Sequence, residues 1–414
     1  MAEWQWKRWD AVARVEAGKL TMAEAAQVLG LSGRQVRRLR RALERDGRRA
    51  LRHGNRGRAP VNKLAAEVRA RVVALRREKY RDFNDQHFAE KLAAEHPPIV
   101  VSVATVRRLL RTTGVPAVWR RRPRRHRKRR DRKAQAGLML LWDGSRHDWV
   151  EARGPWLCLV GAIEDATSEL LPGAHFVEQE CTAAYLRLLQ AIVLECGVPW
   201  SIYMDQHGAL QRNDDHWTVA EELRGRQDPT QVGTALELLG IEAIYALSAQ
   251  AKGRVERLWG TLQDRLVSEL RLAKAGTCAE ANAVLARYRL EHNRRFAVPP
   301  QDRSPAWRPR PRGLDLERVC SFRYEATVLK DNTVHLGGVI LDIPPGPGRR
   351  SYADRRVEVR QLLDGSWRVY AADRLIATGP VTAFRDLHRR RRRKGGRGAP
   401  RAVPEPERWI EVPA

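Results

Sequence analysis

This 414-residue chain lacks closely paired cysteines and long apolar runs, and its acidic residues are far outnumbered by basic ones. Its five cysteines, Cys158, Cys181, Cys196, Cys278 and Cys320, are scattered with no C-x-x-C pair. That spacing supports neither a disulfide framework nor a zinc module and leaves them as reduced packing residues. No run approaches the roughly 18 apolar residues of a membrane span. The N-terminus, with Glu3 and its tryptophans, carries no signal-peptide pattern. A soluble, cytoplasmic protein without a membrane partner is therefore expected. Asp and Glu number 49 against 77 Lys and Arg, a formal charge of +28, and the pI is near 10.9. Such a polycation associates with the phosphate backbone through counterion release, so nucleic acid is the expected partner.

The charge is clustered. Between Trp119 and Lys133 the run WRRRPRRHRKRRDRK holds almost nothing to bury, so a basic linker over 119–133, disordered or tracking DNA, is expected. The tail over 386–414 opens on another arginine run and reads as a basic disordered segment. At this length the chain has room for two to four domains with cores of ordinary size.

The region before the linker reads as two small helical modules. In the first, over 1–50, Thr21 with Glu24 and Ser32 with Gln35 form capping-box patterns on either side of Gly30, a helix-turn-helix signature. Val36, Leu39 and Leu43 fall on one face of the second helix. That leaves Arg34, Gln35, Arg37 and Arg38 exposed near its start, where a recognition helix meets bases and phosphates. The second module, over 62–114, shows three amphipathic patterns and resembles another helix-turn-helix, with or without a wing. Ser102 caps its last helix, with Val103, Val106 and Leu110 inward and Thr105, Arg107, Arg108 and Arg111 available to DNA. A small helical dimerisation unit would show similar periodicity.

Three acidic residues sit in three unlike contexts. Asp143 ends the apolar run Leu138 to Trp142, as at the end of a buried strand. Asp205 follows Trp200, Ile202 and Tyr203 and precedes the loop-forming Gly208. Glu256 lies on a helix pattern with Val255, Leu258, Leu262, Leu266 and Leu270 on one face. Any one of these carboxylates alone would more often be solvated or structural. Gathered together they repel one another, and such a cluster persists mainly where it binds hard, oxygen-seeking cations such as Mg²⁺. A pair of such ions can hold the attacking and leaving oxygens of a phosphoryl transfer in line.

The stretches WDGSRHDWV, YMDQHGAL and AKGRVERLWGTLQDRLVSELRL resemble the blocks of bacterial insertion-sequence transposases, of the ISNCY type within the integrase-like DDE superfamily. AIEDATSELL, CTAAYLRLLQAIVLECGVP, LELLGIEAIYA and ANAVLARYRLEHNRRFAVPP agree, so the resemblance covers nearly the whole chain. It implies an α/β RNase H-like catalytic core over 134–305, with Asp143, Asp205 and Glu256 as the catalytic, metal-binding triad for two Mg²⁺ ions, Mn²⁺ being a possible substitute. It implies a DNA transposase that binds the terminal inverted repeats of its element, cleaves the ends by metal-dependent hydrolysis and joins the 3′-hydroxyls to target DNA. The partners would be double-stranded DNA, as element ends and target, and further copies of the chain, since two ends must be brought together. A place at the nucleoid follows.

The interval from Asp143 to Asp205 is 62 residues and that from Asp205 to Glu256 is 51. The second is longer than the compact spacing of integrases, and QRNDDHWTVAEELRGRQDPTQV is expected to supply the excess as an inserted loop. Where many relatives place Lys or Arg two turns after the glutamate, this chain has Gln263, with Arg257 or Arg265 as substitutes. Lys252, one turn before Glu256, is a candidate phosphate contact. His147, Asp148 and His207 are placed to touch metal or the scissile phosphate but read rather as positional helpers or capping groups, and Glu164 and Asp165 as turn-forming carboxylates or as supports behind the ligands rather than ligands. A decayed transposase acting as a DNA-binding repressor would keep the same recognition helices, and a nuclease that only cleaves would keep the same core. Intact blocks around all three carboxylates argue against the first, and paired helix-turn-helix modules against the second.

From about Leu314 to Phe384 the pattern turns to short β-prone runs, with Asp364-Gly365 as a hairpin turn. A small all-β barrel over 314–385 is expected.

Overall fold

The computed structural model describes residues 3–51, 63–118, 130–212, 217–246 and 253–384. The chain divides into two compact units, the boundary falling between Val73 and Ala74.

The first unit is built on α1 (Glu3–Glu16), α2 (Met22–Leu29) and α3 (Gly33–Asp46). Both capping boxes form as the sequence implies. The Glu24 amide donates to Thr21 Oγ1 at 3.2 Å and the Gln35 amide to Ser32 Oγ at 3.3 Å. Gly30 ends α2 at φ 62°, the left-handed conformation that glycine adopts most readily. Ala11, Val12, Ala25 and Val36 make the small core.

Helix α4 (Ala66–Glu78) carries the chain into the second unit, where α5 (Asp85–Ala93) and α6 (Val103–Thr112) follow. Asn84 and Ser102 cap these two, and Tyr80, Phe83, Phe88, Leu92, Val106 and Leu110 are buried. Among the described residues no strand lies between α4 and residue 118, so the module carries no wing there.

The central element is a five-stranded mixed sheet of β1 (Met139–His147), β2 (Leu157–Glu164), β3 (His175–Val177), β4 (Ser201–Met204) and β5 (Glu242–Tyr245), in the order β3-β2-β1-β4-β5. β1, β2 and β3 pair antiparallel, whereas β4 runs parallel to β1 and β5 parallel to β4. Because side chains alternate across a strand, β1 feeds two cores. Leu140 and Trp142 pack with Tyr185, Leu188 and Leu189 of α7 (Thr182–Glu195). Met139 and Leu141 pack with Trp259, Leu262 and Leu266 of α10 (Gly253–Leu272) and with Leu285 and Tyr288 of α11 (Cys278–Phe296). Every residue of β2 is buried, which accounts for its unbroken apolar run. This is the α/β core the resemblance implies.

The polar segment between the second and third carboxylates is not simply a loop. It contains α8 (Val219–Arg224) and α9 (Gln231–Leu238), and a capping box of Thr218 with Glu221 starts α8. Val232, Ala235 and Leu236 of α9 join the core on the α7 side.

Helix α5 is fastened to α10 by a polar seam. His87 Nε2 and Lys91 Nζ each lie 2.7 Å from the Glu269 carboxylate, and Arg265 Nη1 lies 2.7 Å from Glu90. Farther along, His292 of α11 is buried between Tyr288 and Phe296, and its Nδ1 has no partner among the described residues. Burial first, and then the nearby Arg265, pushes its pKa down from 6.5 to about 4. The folded chain thus holds this imidazole neutral, while the unfolded chain protonates it below its ordinary value. Its contribution is complete above pH 6.5 and is lost as pH falls toward 4, by about 3 kcal/mol at 1.36 kcal/mol per tenfold. Denaturant midpoints measured across that range should fall more steeply for the wild type than for His292→Leu.

The C-terminal strands are β6 (Phe322–Thr327), β7 (Thr333–Leu336), β8 (Val339–Asp342), β9 (Arg356–Gln361), β10 (Trp367–Ala371) and β11 (Arg374–Gly379), after the short helix α12 (Leu316–Val319). The expected barrel is not closed. A four-stranded antiparallel sheet, β11-β10-β9-β6, and a β7-β8 hairpin enclose Tyr324, Val334, Leu341, Val359, Trp367 and Val369. β6 and β11 remain as the two edges of the larger sheet, and closure requires those edges to pair.

Candidate catalytic carboxylate site

Strand pairing directs two of the carboxylates toward one end of the sheet. β1 and β4 run parallel with Met139 beside Ser201 and Leu141 beside Tyr203. Two residues farther along stand Asp143, still within β1, and Asp205, just past the end of β4, so the register carries both carboxylates toward the same end of the sheet. Both are half-buried. Trp259 of α10 donates from Nε1 to Asp143 Oδ2 at 2.8 Å. Glu256 lies three residues earlier, on the same side of α10 by helical spacing, and is exposed. Among the described residues no three His, Cys, Asp or Glu side chains gather closely enough to hold a metal ion. The candidate site thus comprises two aspartates carried to one end of the sheet, with the glutamate one helical turn before the tryptophan that bonds the first aspartate.

Buried polar contacts hold α10 in place over that edge. Asp165, fully buried, pairs with Arg130 Nη2 at 2.5 Å, with Arg254, and with the Lys133 amide at 2.8 Å. Arg132 donates to the Asp165 carbonyl at 2.9 Å. The end of the basic linker, over 130–133, is therefore pinned to the core, because Asp165 offers a buried countercharge that composition does not reveal. The linker residues 119–129 lie outside the described residues, as does Lys252. Glu164 accepts from the Thr167 amide at 2.8 Å and the Gly137 amide at 3.2 Å, in keeping with a turn-forming role, and burial raises its pKa. Asp148 accepts from the Ala152 amide at 3.2 Å, in keeping with a capping role.

Gln263 donates to Ser145 Oγ at 3.2 Å, so this side chain ties α10 to β1. Arg265 is buried against Glu90 and is not a substitute for the missing cation, whereas Arg257 is exposed.

One residue near the pair escapes sequence reasoning. Glu180, just before α7, accepts from Tyr185 Oη at 2.5 Å and lies 3.5 Å from His207 Nδ1. A methyl group on Gly144 would stand 2.6 Å from Glu180 Oε2, so the carboxylate lies over the backbone next to Asp143. Burial, then the Glu180 and Asp143 carboxylates, pushes the Cys158 thiol up to about 12, and burial likewise raises the Tyr185 phenol. Neither group ionises near neutrality. A groove of about 630 Å³ opens beside them, lined by Arg146, Trp156, Cys158, Glu178, Glu180 and His207 among others.

On α3, Arg34, Gln35, Arg37 and Arg38 are exposed as expected, although the Gln35 side chain also serves the capping box. On α6 the cations are less free than the helical pattern implies. Arg107 and Arg111 both bond Asp85 Oδ2, at 3.3 Å and 2.6 Å, and Thr105 Oγ1 lies 3.0 Å from Ser102 Oγ. Arg108 is exposed and has no side-chain partner among the described residues.

A family model of a homeodomain-like domain matches residues 35–110, from α3 through α6. The chain is 34% identical over 375 residues to a putative transposase, y4bF, of Sinorhizobium fredii, covering 87% of this chain and 79% of that one. It is 32% identical over 324 residues to the transposase for insertion sequence IS1202 of Streptococcus pneumoniae, covering 70% and 68%. Among solved structures it is similar to the HTLV-2 integrase catalytic core domain in complex with magnesium, at 16% identity and a TM-score of 0.25 over 37% of this chain and 86% of that one. It is also similar to the simian T-cell lymphotropic virus intasome in complex with a PP2A regulatory subunit, at 12% identity and 0.28 over 75% and 96%. The chain belongs to the insertion-sequence transposases. No helix among the described residues is long and apolar enough to cross a membrane.

Proposed function

We propose that the chain binds the terminal inverted repeats of its element, cuts the element ends by metal-dependent hydrolysis and joins the 3′-hydroxyls to target DNA, on an RNase H-like core with Asp143, Asp205 and Glu256 as its triad. The observation that supports this reading is the parallel register of Leu141 with Tyr203, two residues before Asp143 and Asp205, with Trp259 of α10 bonded to Asp143. The donors are all carboxylate oxygens, which suit Mg²⁺ or Mn²⁺ better than softer ions. A pair of such ions, when bound, supplies Lewis-acid activation of the attacking oxygen and stabilisation of the leaving one.

The residues of the chain position and orient. Trp259 holds one oxygen of Asp143, fixing that carboxylate toward α10. The Asp165 pair with Arg254 secures the first turn of α10, two residues before Glu256. Asp205 Oδ1 accepts from the His207 amide at 3.2 Å, which shapes the turn after β4.

DNA contact is assigned to the exposed residues of α3, to Thr105 and Arg108 of α6, and to Lys252. Arg108→Ala should lower the slope of log K against log salt by about 0.9, the value of one lost phosphate contact. Arg111→Ala should instead loosen the α5-α6 pair, since Asp85 loses its closer partner. An unchanged slope for Arg108→Ala removes that residue from the interface. Pairing of two ends calls for at least two copies of the chain on DNA. The test of the whole reading is cutting of labelled DNA from the ends flanking the reading frame. It should appear with Mg²⁺, vanish with a chelator and return on readdition.

A further inference from the structure

Glu180 has no place in the triad, yet three separate observations place it beside that site. Its carboxylate takes a 2.5 Å bond from Tyr185, whose ring stacks on Trp142, the residue before Asp143. The space it fills exists because residue 144 has no side chain. It also lies 3.5 Å from His207 Nδ1, a packing contact since that nitrogen accepts from the Ala209 amide at 3.3 Å, and the His207 amide donates to Asp205 Oδ1 at 3.2 Å. Tyr185, Glu180 and His207 thus form a chain of contacts running from the core under β1 to the turn that carries Asp205.

We propose that Glu180 is a positioning residue of the carboxylate site, braced by Tyr185 in the space left by Gly144 and holding, by packing on His207, the turn that carries Asp205 at the same end of the sheet as Asp143. The inference rests on the reading of Asp143 and Asp205 as cation-binding carboxylates. Glycine at 144 then has a physical reason. A Cβ there would meet the end of the Glu180 side chain, 2.6 Å from Oε2 and 2.7 Å from Cδ, so an alanine displaces the carboxylate rather than breaking the strand. Tyr185 limits where the carboxylate goes, because the phenol is buried and holds its proton. A charge-assisted bond of that kind is directional as well as strong. Groups that orient metal-binding side chains from behind typically change metal affinity or activity by about 10- to 100-fold when removed.

The experiment uses the full chain with Mn²⁺ as the probe, its binding read by electron paramagnetic resonance of the free ion. Cutting of end DNA is measured alongside. Glu180→Ala should weaken Mn²⁺ binding about 10- to 100-fold and slow cutting in parallel. End-DNA binding should stay as in the wild type, and the melting temperature should fall by only a few degrees as the buried Tyr185 hydroxyl loses its acceptor. Glu180→Gln keeps an oxygen for Tyr185 and should fall between the two, and Gly144→Ala should reproduce the loss with Glu180 intact. Wild-type Mn²⁺ affinity in both Glu180→Ala and Gly144→Ala overturns the inference and leaves the carboxylate site standing. Mn²⁺ binding that is indifferent to Asp143→Asn overturns the reading of the site itself, so the two failures are distinguishable.

Discussion

Asp143→Asn should slow cutting of end DNA by about a thousandfold or more while leaving end binding intact. The amide keeps the volume of the side chain and an oxygen for Trp259, which donates to Oδ2 at 2.8 Å, so the strand and α10 stay in register. What is lost is the negative charge of Asp143. A correctly held cation contributes several kcal/mol of transition-state stabilisation, and about 4 kcal/mol corresponds to a thousandfold in rate. Single-turnover cutting at saturating DNA measures this directly. A variant that cuts at the wild-type rate removes Asp143 from the site.

Asp165→Ala should have the largest effect on stability, a loss of about 3–5 kcal/mol. Asp165 is fully buried, and its partners include the Arg254 guanidinium, itself only 14% exposed. Removing the carboxylate leaves that cation buried without its countercharge, and the Arg130 and Lys133 contacts that end the linker go with it. The first turn of α10 loses its anchor, so cutting should fall even under conditions where the variant is folded. Urea titration followed by tryptophan fluorescence reports the change. A loss below about 1 kcal/mol, the range of an exposed pair, contradicts the structural role.

What the sequence makes legible is mostly local. Capping boxes at Thr21 and Ser32, the strand ends at Asp143 and Asp205, and the apolar stripe around Glu256 all depend on residues within a turn or two of each other. The structure places the caps, Asp205 and the stripe on α10 as the sequence implies, but Asp143 stands inside β1, four residues before its end, because pairing with β2 carries the strand on to His147. Thr218 with Glu221 carried the same kind of signal inside the segment read as an inserted loop, and its polar composition masked the helix that they start.

Other features depend on residues far apart in the chain. Nothing in WDGS announces that Gly144 makes room for Glu180, 36 residues later. The Glu90 pair with Arg265 joins residues 175 apart, so an arginine that looks free on a helical wheel is spent inside the fold. Arg107 and Arg111 point the same way. Periodicity separates a buried from an exposed helical face, and it is silent on which exposed cation finds a carboxylate from a neighbouring helix. Alternation along β6 to β11 identifies strands, but whether the edge strands meet depends on sheet curvature. Here the β7-β8 hairpin covers the shared core and leaves β6 and β11 apart.

The most direct measurement is a strand-transfer assay with Mg²⁺, using labelled DNA from the ends flanking the reading frame, with the wild type and Asp205→Ala side by side. Products joined to target DNA by the wild type alone are the predicted result. Specific end binding by both proteins, with no cutting or joining by either, would contradict the account and leave a DNA-binding protein that has lost the chemistry of its family.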